Sequence, residues 1–137
     1  MKTIRQLLEK KGRRVISARL GDTVYQALAL MARHDIGALL VMEGDRLVGI
    51  FSERDYARKT ILYGKTSAET RLSEIMTGTV FHVSTEQTLE ECMALMAEKH
   101  IRHLPVLEGG QVVGVISASD LIRESLSHQD YLQHQFS

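Results

Sequence analysis

Residues 23–56, TVYQALALMARHDIGALLVMEGDRLVGIFSERDY, recur without a gap as residues 88–121, TLEECMALMAEKHIRHLPVLEGGQVVGVISASDL, with 14 of 34 positions identical. Most of the remaining pairs keep apolar or small character. The chain therefore carries two copies of one structural unit at an offset of 65 residues. A duplicated unit of this length cannot bury its apolar face alone, so the copies are expected to pack on each other about a pseudo-twofold axis, with function where they meet.

Within each copy the apolar period changes twice. Val24, Leu28, Met31 and Ala32, and their counterparts Leu89, Met93, Met96 and Ala97, recur at helical spacing behind Asp22-Thr23 and Glu86-Gln87-Thr88, which read as helix starts. Short apolar runs follow, Ala38–Met42 with Leu47–Phe51 and Leu104–Leu107 with Val112–Ile116. They are separated by Glu43-Gly44-Asp45 and Glu108-Gly109-Gly110, the pattern of a hairpin with a tight glycine turn. A second helix is expected from about Glu53 to Leu62 and from about Ser119 to Leu126, with Ser52 and Ser117 near its N-cap. Lead-in strands are expected at Val15–Ala18 and Thr79–Val83, giving β-α-β-β-α twice in an α/β chain. A short helix over Met1–Gly12 precedes the first copy. On this reading residues 13–63 form repeat 1, 64–73 a linker, 74–127 repeat 2 and 128–137 a polar helical tail.

Composition fits one module built of two halves. The chain has 137 residues, 44% of them hydrophobic, and a single proline, enough to bury an ordinary core. No apolar run approaches the ~18 residues of a membrane span, and the N-terminal stretch lacks the apolar centre of a signal peptide, so a cytoplasmic protein is expected. Cys92 aligns with Ala27 and reads as a small buried helix position. Net charge is zero, yet residues 1–70 hold 13 Lys/Arg against 8 Asp/Glu while residues 71–137 hold 4 against 9. Solvated helix faces, an anionic ligand or docking of oppositely charged subunits would each account for that asymmetry. With 5% aromatics and no concentrated basic stripe, nucleic acid is not indicated.

The segments Ile36-Gly37-Ala38-Leu39-Leu40-Val41 with Gly49-Ile50-Phe51-Ser52-Glu53-Arg54-Asp55, and Ile101-Arg102-His103-Leu104-Pro105-Val106 with Gly114-Val115-Ile116-Ser117-Ala118-Ser119-Asp120, resemble the cystathionine β-synthase (CBS) domain family. The resemblance covers roughly Val15 to Arg123, as a tandem pair of the kind called a Bateman module. One departure is Leu40, where the family often has proline. Pro105 reads as an edge-strand position at which either residue is tolerable.

The repeated G-h-x-S-x-x-D segment has a chemistry of its own. A glycine inside an apolar strand marks a close approach to the backbone, and the strand then delivers Ser and Asp at a helix N-terminus. A carboxylate can accept two ribose hydroxyls, the serine adds another hydrogen bond, and free helix N–H groups favour a phosphate. The competing reading is that Ser52 and Ser117 only cap helices and that Asp55 and Asp120 only favour the helix dipole.

The resemblance implies adenosine ligands such as AMP, ATP, NAD or S-adenosylmethionine in two clefts, each built by both halves. It implies that Ser52 and Asp55 hold a ribose, with Arg54 near phosphate, Arg58 behind it on the helix, Ile50 on the strand, and Thr77, Val80 and His82 with Ile101 and Arg102 flanking the base. The second cleft would use Val115, Ser117, Ser119 and Asp120 with Ile16, Ile36, Gly37, Arg102 and His103. The aligned positions after each serine differ: Arg54, Arg58 and Lys59 follow Ser52, whereas Ser119, Arg123 and Glu124 follow Ser117. The Asp55 cleft is therefore expected to dominate. Lys59 reads equally well as a solvent-facing helix residue, and Arg58 less readily so.

Other chemistry is thin. Gly64-Lys65-Thr66 resembles the end of a Walker A loop, but the earlier glycine position holds Lys59. Histidine spacing does not suggest a metal, and no nucleophile stands paired with a base. The readings that remain are a regulatory module sensing an adenine nucleotide, a structural or interaction module with empty clefts, and, least supported, an enzyme. The resemblance also implies a homodimer, with a regulated protein as a further partner.

Overall fold

The computed structural model describes the backbone of residues 2–136 and the side chains of residues 2–127. Its contacts divide the chain into two compact units, Ile16–Val80 on the one hand and Met1–Val15 with Phe81–Ser137 on the other. The helix ahead of the first copy thus folds into the unit of the second. No helix among the described residues is long and apolar enough to cross a membrane.

The first-repeat unit runs β1 (Ser17–Arg19), α2 (Val24–His34), β2 (Ala38–Glu43), β3 (Arg46–Ser52), a short α3 (Glu53–Asp55) that passes into a π-helical stretch over Tyr56–Ile61, and α4 (Leu72–Ile75). The order β1-β2-β3 places β2 centrally, parallel to β1 and antiparallel to β3. The second-repeat unit begins with α1 (Ile4–Lys11) and continues with β4 (Val83–Ser84), α5 (Leu89–Lys99), β5 (His103–Glu108), β6 (Gln111–Ser117) and α6 (Ala118–Phe136). Its sheet has the same layout, β4-β5-β6. The expected β-α-β-β-α order is present twice. Burial of the tail beyond Ser127 lies outside the described residues.

Local sequence accounts for these elements. Thr3, Thr23 and Thr88 each accept the backbone N–H three residues on, while Gln6, Gln26 and Glu91 reach back to the cap N–H, closing three capping boxes. Helices α2 and α5 end at the aligned residues Asp35 and His100, both left-handed, with φ of 52° and 56°. The Gly44 and Gly109 turns have φ of 61° and 60°, as a tight hairpin requires. Cys92 is fully buried in α5, and burial pushes its thiol up to about 12, so it serves as the packing residue its alignment with Ala27 suggested.

Each unit has its own core. Val24, Ala27, Met31, Leu39, Val41, Phe51, Leu72 and Ile75 form one; Ile4, Leu7, Leu8, Val83, Leu89, Cys92, Leu104, Val106 and Ile116 form the other. Helices α1 and α4 play equivalent parts. Ile4 N–H donates to the Gln87 carbonyl at 2.8 Å and Leu72 N–H to the Asp22 carbonyl at 2.9 Å, ahead of the matching caps Thr88 and Thr23.

Two expectations are corrected here. Pro105 lies on β5, the central strand, and not at an edge. It is tolerated because β4 reaches only Val106 and Leu107, leaving Pro105 paired on one side, with Val115. The aligned Leu40 is covered on its other side by Ser17 of β1, where a missing N–H would be costlier. The charge asymmetry also has a different cause from those considered. Counted by folded unit, the sequence places 9 Lys/Arg with 9 Asp/Glu in the second-repeat unit and 8 with 8 in the first. The basic N-terminal segment neutralises acids of the second copy within the chain.

Candidate functional site

The two Ser-x-x-Asp segments sit at matching strand-to-helix junctions. In the first-repeat unit the Ser52 hydroxyl accepts the Asp55 N–H at 3.2 Å, and Asp55 Oδ2 accepts the Ser52 N–H at 3.1 Å and its hydroxyl at 3.2 Å. In the second, Ser117 Oγ accepts the Asp120 N–H at 3.1 Å and Asp120 Oδ2 accepts the Ser117 N–H at 2.8 Å. Both serines are caps and both aspartates close a capping box. That use engages one carboxylate oxygen and leaves the other directed elsewhere, so capping and ligand contact are compatible.

The segment that precedes the opposite copy's lead-in strand completes each junction. After α4, Thr77 exchanges backbone hydrogen bonds with Ile50 of β3, both at 3.0 Å, and its hydroxyl donates to Asp55 Oδ1 at 3.4 Å. Lys59, one turn along the helix, stands 3.3 Å from the same oxygen. It is therefore a neighbour of the carboxylate and more than a solvated helix residue. After α1, Lys11 donates to Asp120 Oδ2 and to the Val115 carbonyl, both at 2.5 Å, and Arg123 lies 3.4 Å from Asp120 Oδ1. Burial raises the Asp120 carboxyl, but the bonds from Lys11 and Ser117 outweigh it and leave the group below its usual range.

Sequence comparison of aligned positions missed Lys11, which stands more than a hundred residues away from Asp120. It also counted Glu124 as a charge weakening the second site. Glu124 instead accepts from Lys2, just ahead of α1, and, at 3.0 Å, from Lys10 on α1.

Gly49 and Gly114 do mark close approaches, but to the core. A β-carbon would stand 2.5 Å from Met76 Sδ at Gly49 and 2.8 Å from Leu8 Cδ2 at Gly114. Both glycines make room for side chains packed with α4 and α1, so the close approach that they mark is one of the core.

Arg54 and Arg58 are exposed on α3 and the π-helical stretch. Half-buried Ile36 and Gly37 lead into β2, where the Gly37 carbonyl accepts the Glu53 N–H at 3.1 Å. Ile16 enters β1, and Val80 ends the first-repeat unit. In the second-repeat unit His82 is exposed before β4, Ile101 follows α5, and the Arg102 carbonyl accepts the Ala118 N–H at 2.8 Å. Ser119 is exposed in the first turn of α6. His103 pairs with Ser117 across β5 and β6, and burial, then Arg102 and Lys11, lower its pKa against the opposing Asp120.

Comparison with known proteins agrees with the duplicated architecture. The family model described as "CBS domain" matches residues 5–60 and again 72–127. The mitochondrial CBS domain-containing protein CBSX3 of Arabidopsis thaliana is 36% identical over 141 residues, spanning 96% of this chain and 68% of that protein. A solved protein with CBS domains from Burkholderia ambifaria is 46% identical with a TM-score of 0.90, covering 93% of this chain and 96% of its own. The CBS domain pair of protein MJ0100, solved with 5′-methylthioadenosine and S-adenosyl-L-methionine, is 25% identical with a TM-score of 0.77 and coverages of 89% and 98%.

Proposed function

Because the chain belongs to the CBS domain family, whose model matches it twice, we propose that it is a non-catalytic regulatory module that binds adenosine-containing ligands, AMP, ATP or NAD foremost. The observation that carries this reading is the twice-built junction in which a helix-capping Ser-x-x-Asp presents a carboxylate beside a cation and a strand-edge carbonyl. The Asp55 and Asp120 carboxylates accept ribose hydroxyls, the serines add a hydrogen bond, and exposed Arg54 and Arg58 serve phosphate at the first junction. Thr77 and Ile50 there, and Val115, His103 and Ser119 at the second, line the remainder. The adenosine ligands of the MJ0100 pair support the ligand class.

The first junction has the more basic helix and is assigned the tighter site. Thermal-shift and calorimetric titration with AMP, ADP, ATP, NAD, NADH and S-adenosylmethionine test the proposal. Binding by at least one, weakened roughly 10- to 150-fold by Asp55→Ala, is the expected result. No response to any of them at millimolar concentration rejects sensing and favours a structural module.

Ile122 and Leu126, one turn apart on α6, are 54% and 56% exposed, an apolar stripe suited to a second copy. We assign the working state as a homodimer. Light scattering that gives the 15.4 kDa monomer mass at micromolar concentration rejects it.

A further inference from the structure

The two junctions satisfy one equivalent acceptor by different means. Ile50 and Val115 occupy aligned strand positions two residues before Ser52 and Ser117. The Ile50 carbonyl is held by the backbone N–H of Thr77, a fixed bridge. The Val115 carbonyl is held by the ammonium of Lys11, which in the same geometry bonds Asp120 Oδ2. Lys11 is the last residue of α1, and Gly12 follows with a φ of 98°, so the helix stops at the point where the lysine turns onto the site. Anchorage of α1 does not depend on Lys11: Ile4, Leu7 and Leu8 are buried, Lys2 and Lys10 bond Glu124, and Arg5 bonds Thr85 and Glu86.

A lysine in this place occupies two acceptors that a nucleoside would need. A neutral ligand that displaces it forfeits two short charge-assisted bonds and returns only neutral hydroxyl and amide bonds. A ligand that also carries an anion offers the displaced ammonium a new partner, because the lysine stem is long and its head has three rotatable donors. Resting on the nucleotide-binding reading above, we propose that Lys11 is the specificity-determining residue of the Asp120 site, an internal counter-ion that yields its acceptors to a phosphorylated adenosine and withholds them from the bare nucleoside. The Asp55 site differs. Its lysine, Lys59, pairs with the carboxylate, at 3.3 Å, while the strand carbonyl is held by the backbone.

The test follows the amide resonances of Ser117 and Asp120 while AMP or adenosine is titrated into the wild-type chain, Lys11→Met and Lys11→Arg. Wild type is expected to prefer AMP by about tenfold or more, the scale of one charged hydrogen bond. Lys11→Met removes the charge at similar length: AMP weakens, adenosine tightens, and the preference falls to near one. Lys11→Arg keeps the cation and keeps a preference for AMP. An unchanged preference in Lys11→Met, with both compounds still bound, overturns the assignment of Lys11 alone. If neither compound moves these resonances in any of the three proteins, the nucleotide-binding reading of this site fails and the role of Lys11 with it. Unaltered resonances of Leu7 and Leu8 in the variants show that α1 remains docked.

Discussion

Leu8 of α1 lies so close to the α-carbon of Gly114 that a β-carbon added there would stand 2.8 Å from Leu8 Cδ2. Leu8 is 1% exposed and packed among Ile4, Leu7 and the β5–β6 core, so it has nowhere to retreat. Gly114→Ala is therefore expected to destabilise the second-repeat unit by about 1–3 kcal/mol. At the aligned Gly49 the intruding group is the thioether of half-buried Met76, which can swing aside. Gly49→Ala is expected within about 1 kcal/mol of neutral, since replacing a strand glycine also removes an entropic cost. Urea denaturation of the two variants checks the order; an equal effect would show that the α1 and α4 contacts are alike in rigidity.

These glycines also show how far the sequence could be read. Repetition of Gly49, Ser52 and Asp55 as Gly114, Ser117 and Asp120 revealed the fold, the hairpins and both junctions, because those features are local in sequence and recur at one offset. The docking of α1 onto the second copy was hidden. Thr3 and Arg71 occupy equivalent bridging positions opposite Thr88 and Thr23, yet the spacing from Thr3 to Thr23 is three residues longer than that from Arg71 to Thr88. A gap-free alignment therefore stops at Thr23 and never brings α1 over α4. Lys11 was illegible for the same reason, since its partner is fixed by tertiary packing alone. The π-helical stretch over Tyr56–Ile61 left no mark in the apolar spacing, which one widened turn scarcely disturbs.

Docking of α1 has an electrostatic side that acid should expose. Glu124 is 9% exposed, and the Lys2 hydrogen bond, supported by Lys10 against the cost of burial, holds its carboxyl below the usual 4.5. A carboxyl lowered by folding contributes stability that is complete above its unfolded value and is lost as pH falls through the folded one. Stability of the second-repeat unit should thus hold above about pH 5 and decline below 4.5, with Asp120, also lowered, adding to the loss at more acid pH. Glu124→Gln is expected to cost on the order of 1–2 kcal/mol at pH 7 and to flatten the acid limb. Denaturation at pH 7, 4.5 and 3.5 measures both; an acid limb of unchanged slope in the variant would place the sensitivity elsewhere.

Thr60 supplies a prediction of the opposite sign. Within the π-helical stretch Thr60 is 1% exposed, and its hydroxyl has no hydrogen-bond partner among the described residues. Hydroxyls in helices ordinarily bond the carbonyl a turn behind, but the widened ladder over Tyr56–Ile61 shifts those carbonyls. A buried donor without a partner carries its desolvation cost uncompensated, so an apolar group of the same shape should be preferred. Thr60→Val keeps the β-branch and is expected to raise stability by about 1 kcal/mol, seen as a higher urea midpoint at unchanged slope. Loss of stability of similar size would mean that the hydroxyl is hydrated or bonded in solution, and that the π-helical turn is stabilised through it.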